Sequence, residues 1–396
     1  MKRNGYLALC FIMCFTFFSP IASAVAAEKS GSQTGEMNFA PHAKSAVMIE
    51  ADTGTVLYDK NANEKMPPAS ITKVMTMLLI MEAIDRGELK MTDKVRTSER
   101  AASMGGSQIF LQPGEEMTVE DMIKGIAIAS GNDASVAMAE HLGGTEEGFV
   151  NRMNERAKQL GMKNTHFVNS NGLPAENHYS SAHDIAIMSR ELLKHEGITR
   201  FTGTYQDYLR KDSASPFWLV NTNRLVRFYE GVDGLKTGYT GEAKYCLTAT
   251  AKRNNMRIIA VVMGEPDVKT RNSEVSTMFN YAFTHFQVLP MYKKGEAVKT
   301  ITVDKGQQPQ INAVTPHSVS LLMKKGESAD QFNREIVLDQ RVNAPVSREQ
   351  IIGHIFIRTK DGKEVNRIDL HPEQSVAKAG MWEILKRTTK NVFISY

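Results

Sequence analysis

Cysteine is scarce in this chain of 396 residues. Of its three cysteines, Cys10 and Cys14 lie in an apolar N-terminal stretch that we predict to be removed, so the mature chain keeps only Cys246. A single cysteine cannot form an internal disulfide. If the protein is exported, as its N-terminus indicates, it must therefore depend on its core for stability.

The sequence also lacks a block of basic residues and the common metal and phosphate motifs. Its net charge is +4 and its isoelectric point is about 8.7, which gives no indication of nucleic-acid binding. His178 and His183 are five residues apart, no His-Glu-x-x-His motif occurs, and the other histidines form no ligand pattern. We therefore expect no metal and, without a glycine-rich phosphate loop, no cofactor.

The N-terminus has the pattern of a secretion signal. The apolar stretch from Tyr6 to Phe18 follows a basic start and precedes small residues at Ala24 to Ala27. It is shorter than the roughly 20 residues that a membrane span needs. We predict that residues 1–27 are a signal peptide, that residues 28–41 are a flexible leader, and that the protein is exported.

The remaining pattern predicts one large domain, a small one and a terminal helix. Residues 42–292 contain a hairpin, a long helical middle, three strands between 235 and 264, and a helical stripe from Val275 to Phe286. This order predicts one sheet built from both ends of the domain, with helices packed on it. The short β-branched runs of residues 293–375 predict an all-β domain.

Residues 376–396 combine helical spacing of apolar side chains with an excess of lysine and arginine. This pattern is typical of an amphipathic helix that lies at a membrane surface and is too polar to span the bilayer. The alternative is a terminal helix docked on its own domain.

The stretch from Pro67 to Asp85 predicts a helix that is buried on most of its surface, because it is apolar and opens with two prolines. Its first turn carries Ser70 and Lys73, which share a face at this spacing. A buried lysine is costly unless it is paired or its pKa falls, and a desolvated amine can take the proton of a neighbouring serine. The pattern predicts a nucleophile and its base. The alternative is a helix start with a lysine that extends to solvent.

Two further motifs supply residue types that acyl transfer needs. Ser130-Gly131-Asn132 lies between two predicted helices, where Ser130 could relay a proton and Asn132 could bind a substrate amide; the alternative is local helix capping. Lys236-Thr237-Gly238 lies on a predicted strand flanked by glycines, so a peptide could lie along that edge with its carboxylate on Lys236 and Thr237. The alternative is an ordinary exposed strand end.

Together these motifs form the set shared by penicillin-binding proteins and active-site-serine β-lactamases. Over essentially its whole length the chain resembles the low-molecular-mass D-alanyl-D-alanine carboxypeptidases, and more narrowly their sporulation-associated members from endospore formers. Additional matches are Pro-Ala-Ser-Ile-Thr-Lys at 68–73, Ala-Ser-Gly-Asn-Asp-Ala at 129–134, Tyr-Ser-Ser-Ala at 179–182 and Gly-Val-Asp-Gly-Leu-Lys-Thr-Gly at 231–238.

The resemblance implies an α/β (α+β) fold of the serine β-lactamase/transpeptidase type, with an antiparallel sheet, helices on both of its sides and a C-terminal all-β domain. It implies that Ser70 forms an acyl ester, that Lys73 is its general base and that Ser130 passes the proton on. The residues implied in substrate binding are Asn132, Lys236, Thr237, Gly238, Tyr239 and Arg271.

Arg271 matches a family arginine that helps to bind the substrate carboxylate, for which its two-pronged guanidinium is suited; the alternative is a solvated helix arginine. The backbone amides of Ser70 and Tyr239 are the expected oxyanion donors. Tyr239 and Asn171 stand where several relatives carry histidine, so fine specificity and rate stay open.

The expected reaction removes the terminal D-alanine from peptidoglycan stem pentapeptides, with β-lactam antibiotics as covalent inhibitors. The expected location is the outer face of the cytoplasmic membrane, or the medium. A β-lactamase is the nearest alternative, but the Glu-x-x-Leu-Asn string that we associate with class A enzymes is missing. A non-catalytic module that binds peptidoglycan or senses β-lactams is a second alternative, which the complete motif set disfavours.

Overall fold

The structure is a computed structural model that describes residues 37–383 together with Met1 and Lys386. The predicted signal peptide, from its second residue onward, and most of the predicted C-terminal helix lie outside the described residues. From Phe39 onward the chain forms one compact unit, which is described below.

The strands of this unit fall into one five-stranded sheet in its N-terminal part, two sheets in its C-terminal part, and two small two-stranded sheets, β3-β4 and β5-β6. In chain order the strands are β1 (Ser45–Glu50), β2 (Val56–Lys60), β3 (Lys94–Arg96), β4 (Glu116–Thr118), β5 (Gln206–Leu209), β6 (Phe217–Val220), β7 (Val232–Thr240), β8 (Lys244–Arg253), β9 (Met256–Glu265), β10 (Phe286–Tyr292), β11 (Ala297–Asp304), β12 (Gln310–Val314), β13 (Val319–Lys324), β14 (Phe332–Leu338), β15 (Arg341–Asn343), β16 (Gly353–Thr359) and β17 (Glu364–Pro372).

Most of the helices lie between β2 and β7. The α-helices are α1 (Lys73–Asp85), α2 (Glu99–Ala102), α3 (Val119–Ala127), α4 (Asn132–Gly143), α5 (Glu146–Gln159), α6 (Ala182–Leu192), α7 (Ile198–Thr202), α8 (Leu225–Phe228) and α9 (Val268–His285). Short 3₁₀ turns cover Ala69–Thr72 and Ala329–Gln331.

The central sheet has five antiparallel strands in the order β2-β1-β9-β8-β7. Strands from the two ends of this region therefore meet at β1 and β9, as the element order predicts. Helices α1 and α6 pack on one face in a core with Val47 and Val261, whereas α9 packs on the other face in a core with Met48 and Val262. This arrangement confirms the predicted fold class.

Strand β7 pairs with β8 on one side and is the edge strand of the sheet. Its other edge therefore keeps a row of backbone groups that another extended chain could use. The edge carries Lys236-Thr237-Gly238 and faces the turn that precedes α1.

The C-terminal part of the chain is all-β, as predicted. A six-stranded sheet with the order β14-β16-β17-β12-β11-β15 encloses an apolar core with the pair β10 and β13. Strand β10 corrects one expectation, because the helical stripe was predicted to reach Phe286, whereas α9 ends at His285 and Phe286 begins β10. Since β10 pairs with β13, the chain enters the β region before the predicted start at residue 293.

Two further expectations change at the ends of the unit. The predicted leader was to run to residue 41, but Ala40 is buried under α9, and the ring of Phe39 lies 4.3 Å from that of Tyr281. The predicted C-terminal helix was to begin at Val376, but Val376 is buried and forms a β-bridge to Val346. Helical geometry starts at residue 381 in the described chain.

Candidate active site

The serine of the Ser-x-x-Lys motif lies in a tight turn at the start of the buried helix. The turn Ala69–Thr72 is 3₁₀, and α1 begins at Lys73. Ala69 has a φ of +48°, a conformation that non-glycine residues adopt only when their surroundings enforce it. One helical turn separates Ser70 from Lys73, and Lys73 Nζ lies 2.9 Å from Ser70 Oγ.

Lys73 is completely buried, and its amine is held by two other segments. Nζ donates to Asn132 Oδ1 at 2.7 Å and to the carbonyl oxygen of Asn171 at 2.6 Å. Burial, followed by the nearby charge of Lys236, lowers the pKa of Lys73 well below its usual value, although Asp133 opposes this shift. The amine is therefore biased towards the neutral form that a base requires.

The Ser130-Gly131-Asn132 motif forms the entry to α4. Ser130 is buried with a φ of +63°, and Asn132 begins the helix and donates from Nδ2 to the carbonyl of Gly105 at 2.7 Å. Asp133 is fully buried and accepts backbone N–H bonds from Ile109 and Leu111. Asp133 thus fixes the loop before β4 against the motif and so orients Asn132 towards Lys73.

The Lys-Thr-Gly motif and helix α9 each supply one buried cation to the same region. Lys236 is buried on β7, and burial together with the charge of Arg271 lowers its pKa to about 7. Arg271 lies in the first turn of α9 and is also buried, and burial lowers its pKa to about 10. Thr237 Oγ1 donates to Thr222 Oγ1 at 2.7 Å. Two desolvated cations with mutually unfavourable charges make a strong site for an anion.

Two glycines let the segments come this close. A Cβ on Gly238 would lie 2.9 Å from the carbonyl oxygen of Pro68, so only glycine lets β7 pack on the nucleophile turn at this distance. Gly172 has a φ of +87°, and a Cβ there would lie 1.9 Å from the carbonyl oxygen of Ala69. Sequence reasoning identified Gly238 but missed Gly172.

His178 holds the turn Ala69–Thr72 in place through a hydrogen bond to Thr72. Its Nδ1 accepts from the N–H of Val168 at 2.9 Å, so Nε2 carries the proton and donates to Thr72 Oγ1 at 2.8 Å. Thr72 Oγ1 in turn donates to the carbonyl of Ala69 at 2.8 Å. Burial, with a smaller effect of His166, lowers the pKa of His178 to about 4. The sequence singled out His178 only as a poor metal ligand, and its structural role carries no motif.

The structure brings Ser70, Lys73 and Asn132 into direct contact. Ser130 lies two residues before Asn132 in the chain. Lys236 is close enough to lower the pKa of Lys73. Tyr239 is half-exposed, with its ring 4.4 Å from that of Tyr245.

The described ranges contain neither a metal-binding cluster nor a helix that could span a membrane. No group of three or more histidine, cysteine or carboxylate side chains there could hold a metal ion. None of the helices within these ranges is both long and apolar enough to cross a bilayer.

Comparison with known proteins gives matches over both parts of the chain. Residues 31–267 match the family model described as D-alanyl-D-alanine carboxypeptidase, and residues 286–378 match that of the C-terminal domain of penicillin-binding protein 5. The D-alanyl-D-alanine carboxypeptidase DacF of Bacillus subtilis (strain 168) is 55% identical over 388 residues, which is 98% of each chain.

Solved structures give the same result. Penicillin-binding protein 5 from Haemophilus influenzae has a TM-score of 0.68 and 30% identity, covering 85% of this chain and 98% of its own. Penicillin-binding protein D2 from Listeria monocytogenes, in an ampicillin-bound form, has a TM-score of 0.56 and 30% identity, covering 61% of this chain and 98% of its own. The chain therefore belongs to the D-alanyl-D-alanine carboxypeptidase family, and its activity is that of a D-alanyl-D-alanine carboxypeptidase.

Proposed function

We propose that the carboxypeptidase reaction is serine-type, with Ser70 as the nucleophile and Lys73 as its general base. The observation that carries this proposal is the set of contacts made by Lys73 Nζ. Asn132 Oδ1 and the carbonyl of Asn171 can only accept hydrogen bonds. A neutral amine has two N–H groups and one lone pair, so these two acceptors leave the lone pair for the Ser70 hydroxyl at 2.9 Å.

The reaction then follows from the residues around that pair. Ser70 Oγ attacks the carbonyl carbon of the penultimate D-alanine, and its proton passes to Lys73. Ser130 relays a proton to the nitrogen of the terminal D-alanine as the C–N bond breaks, and water later hydrolyses the ester. The backbone N–H groups of Ser70 and Tyr239 bind the oxyanion, and loss of one such donor typically costs about 10²–10³-fold in rate.

The substrate carboxylate binds between the buried cations, where Lys236, Thr237 and Arg271 meet it. An anion at this position would relieve the repulsion that, with burial, lowers the pKa of Lys236. Asn132 binds the peptide amide, and Gly238 and Tyr239 offer the open edge of β7 to the peptide backbone.

β-Lactams are the expected covalent inhibitors. Ampicillin and cefotaxime are bound in structures of the Listeria relative, and the substrate's scissile amide and a β-lactam amide present the same kind of carbonyl to a serine. For this chain we expect acylation of Ser70 followed by slow hydrolysis.

The proposed location rests on two segments, of which the first lies outside the described residues apart from Met1 and the second is described only in part. A cleaved signal peptide at residues 1–27 would export the protein, and the segment 376–396 would hold it at the membrane surface. A protein truncated before residue 376 that still pellets with membranes would contradict that anchoring.

The likeness to sporulation-associated relatives predicts expression during spore formation, which a time course of transcript levels would test.

The decisive assay compares the protein with Ser70→Ala on a stem pentapeptide and on benzylpenicillin. We expect D-alanine release only from the parent protein, and penicillin hydrolysis far slower than D-alanine release. A Ser70→Ala variant as active as the parent would overturn the nucleophile assignment, and penicillin turnover faster than D-alanine release would favour a β-lactamase.

A further inference from the structure

Glu265, at the end of β9, is a buried carboxyl group that the proposed reaction does not use. Its side chain is completely buried, and neither of its two oxygens has a hydrogen-bond partner in the part of the chain that the structure describes. Buried polar groups nearly always have such a partner, and an ionised carboxylate without one is very costly. The burial and the missing partners therefore favour the protonated, neutral form of Glu265.

A β-bulge precedes Glu265. The register of β8 and β9 shifts beside Tyr245, which pairs with Glu265, and Gly264 has a φ of +77°. Strict alternation along β9 would place Glu265 on the same face as Val261 and Met263, in the core with α1 and α6. Bulges redirect side chains and are common next to active sites. The position of Glu265 is therefore a specific feature of this strand end.

Helix α9 brings two other buried charged groups close to Glu265. Arg271 and Glu274 lie three residues apart, so they share a face of the helix. The charge of Glu265 acts on Arg271, and the charge of Glu274 acts on Glu265. Glu274 already has partners, because it accepts from the backbone N–H of His42 at 3.0 Å and lies 2.6 Å from His42 Nδ1.

Arg271, by contrast, has no partner of opposite charge. Its Nε and Nη2 donate to Asn272 Oδ1 at 3.1 Å and 2.9 Å, and within the described ranges it forms no ion pair with a carboxylate. An amide oxygen is neutral, so the positive charge of the buried guanidinium stays uncompensated. The ionisable group whose charge could compensate it from the end of β9 is Glu265.

We propose that Glu265 is a positioning residue that acts on the substrate carboxylate through Arg271. As a neutral acid it leaves the charge of Arg271 to the substrate, whereas as a carboxylate it would give Arg271 an internal counter-ion and repel the substrate. The proposal rests on the proposed function, because it takes the terminal carboxylate of the peptide to bind at Lys236, Thr237 and Arg271.

The surroundings of Glu265 set the pH at which it changes form. Burial, followed by the neighbouring Glu274, raises the pKa of Glu265 to about 8, with a further increase from Asp267 and a decrease from Lys60. Glu265 is therefore neutral below this pH, and KM should rise as the pH passes through it. The other titratable groups nearby are Lys44, whose side chain lies beside Gly264, Tyr245 and Cys246 on β8, Arg271 on α9, and His42, which reaches Glu274.

The test compares the parent protein with Glu265→Gln, which keeps the shape of the side chain and cannot ionise. The substrate is a doubly acetylated lysyl-D-alanyl-D-alanine, whose only ionisable group is its terminal carboxylate. KM is measured from pH 6.5 to pH 9 and expressed as the ratio of parent to variant, because the pH dependence that comes from Lys236 is common to both proteins.

We expect a KM ratio of about 1 at pH 6.5 and of about three to ten at pH 9. This is the fold-change of an interaction that shifts a pKa by half a unit to one unit, and coupling between two bound groups is reciprocal. The ratio of the kcat values should stay constant with pH, because Glu265 acts on binding of the carboxylate. A purely structural role of Glu265 would give a KM ratio that does not vary with pH.

Asp267→Asn is the matched control. Asp267 is an exposed carboxylate two residues from Glu265, and it caps α9 by accepting from the N–H of Thr270, which asparagine can also do. Its pKa is lowered by the N–H and hydroxyl of Thr270, so it is ionised throughout the range of the test. Any change of KM in this variant should be the same at pH 6.5 and at pH 9.

Infrared spectroscopy gives a second readout that does not depend on turnover. The difference spectrum between the parent protein and Glu265→Gln should contain the carbonyl band of a protonated carboxylic acid at pH 6.5, and this band should disappear as the pH rises to 9. Labelled penicillin counts the folded molecules of each protein. If the glutamine variant does not fold, the pH dependence of this band in the parent protein, with Glu265→Leu as the reference, replaces the comparison.

The outcomes separate this proposal from the proposed function. Arg271→Gln should raise KM, and an unchanged KM in that variant would overturn the carboxylate site itself. A raised KM in Arg271→Gln together with a flat KM ratio for Glu265→Gln would overturn the role of Glu265 alone. Absence of the protonated-acid band at pH 6.5 would overturn it as well.

Discussion

The two parts of the described chain bury different kinds of side chain. Between residues 39 and 285 the interior contains ionisable groups, among them Lys73, Asp133, Lys236 and Arg271. From residue 286 to the end of the described chain, the buried polar side chains are those of Thr315 and Ser320. The core there is otherwise aliphatic, with residues such as Leu370 and Ile355.

This difference locates the chemistry. Burying a charge without a good partner costs free energy, so a cluster of such groups indicates a use other than stability. All four of the ionisable groups above hold, orient or electrostatically influence the Ser70 region. The β region, by contrast, is organised for packing. If this division holds, substitutions near Ser70 should mainly change activity, and substitutions in the core of the β region should mainly change stability.

The largest effect is expected from Lys73→Met. Loss of a general base typically lowers the rate about 10²–10⁴-fold, so D-alanine release and acylation by benzylpenicillin should both fall by that amount. The unfolding free energy should change only modestly, because removal of the buried amine is offset by the loss of the donor to Asn132 Oδ1 and to the carbonyl of Asn171. A variant that keeps the parent acylation rate would contradict the role of Lys73.

The converse change is Leu370→Ala in the core of the β region. Truncating a fully buried leucine typically costs about 2–5 kcal/mol of unfolding free energy, which denaturant titration followed by circular dichroism would measure. We expect kcat per folded molecule, counted by labelled penicillin, to be unchanged. A folded variant with a much lower kcat would show that the β region contributes to catalysis, which would contradict the proposed difference between the two regions.

His178 makes the stability of the catalytic region depend on pH. Its pKa is lowered to about 4 in the folded protein, whereas an unfolded histidine has a pKa of about 6.5. Between these two pKa values the unfolded state therefore binds more protons than the folded state. The contribution of neutral His178 to the unfolding free energy is complete above pH 6.5 and is lost as the pH falls towards 4. The loss amounts to about 3 kcal/mol.

His178→Gln is the matched variant, because its amide can bond both the N–H of Val168 and Thr72 Oγ1 without titrating. Denaturant titrations from pH 4 to pH 7 should show a smaller loss of unfolding free energy in this variant than in the parent protein. Equal pH dependence in the two proteins would assign the effect to other groups.

The smallest effect concerns the carboxylate site. Lys236 has a pKa of about 7 in the free protein, so its charge, and with it the binding of the substrate carboxylate, declines as the pH rises above 7. Lys236→Arg keeps a cation at all these pH values. The KM of the parent protein should rise between pH 7 and 9 while that of the variant stays flatter. Parallel KM profiles would show that Lys236 does not carry this dependence.

The sequence predicted the parts of this site that depend on spacing along the chain. Ser70 and Lys73 meet because residues three apart on a helix share a face. The long helical middle was predicted without the bounds of its helices, such as α5, which begins after Thr145. Helical spacing misassigned Phe286, because an apolar stripe does not show where a helix ends.

Other parts have no signature in the sequence. The carbonyl of Asn171 that holds Lys73 is a backbone atom, which any residue type supplies. Gly172 is required by its contact with Ala69, about a hundred residues earlier in the chain, so only the folded structure explains it. The bonds of Asp133 to the N–H groups of Ile109 and Leu111 depend on how a loop more than twenty residues earlier folds back.

The central claim is that a neutral Lys73 amine activates Ser70. The measurement that tests it most directly is the rate constant for acylation by benzylpenicillin as a function of pH, with the adduct mapped to its residue by mass spectrometry. We predict one adduct, on Ser70, and a rate that reaches its plateau well below the usual lysine pKa of about 10.4. An adduct on another residue, or a rate that still rises at that pH, would contradict the account.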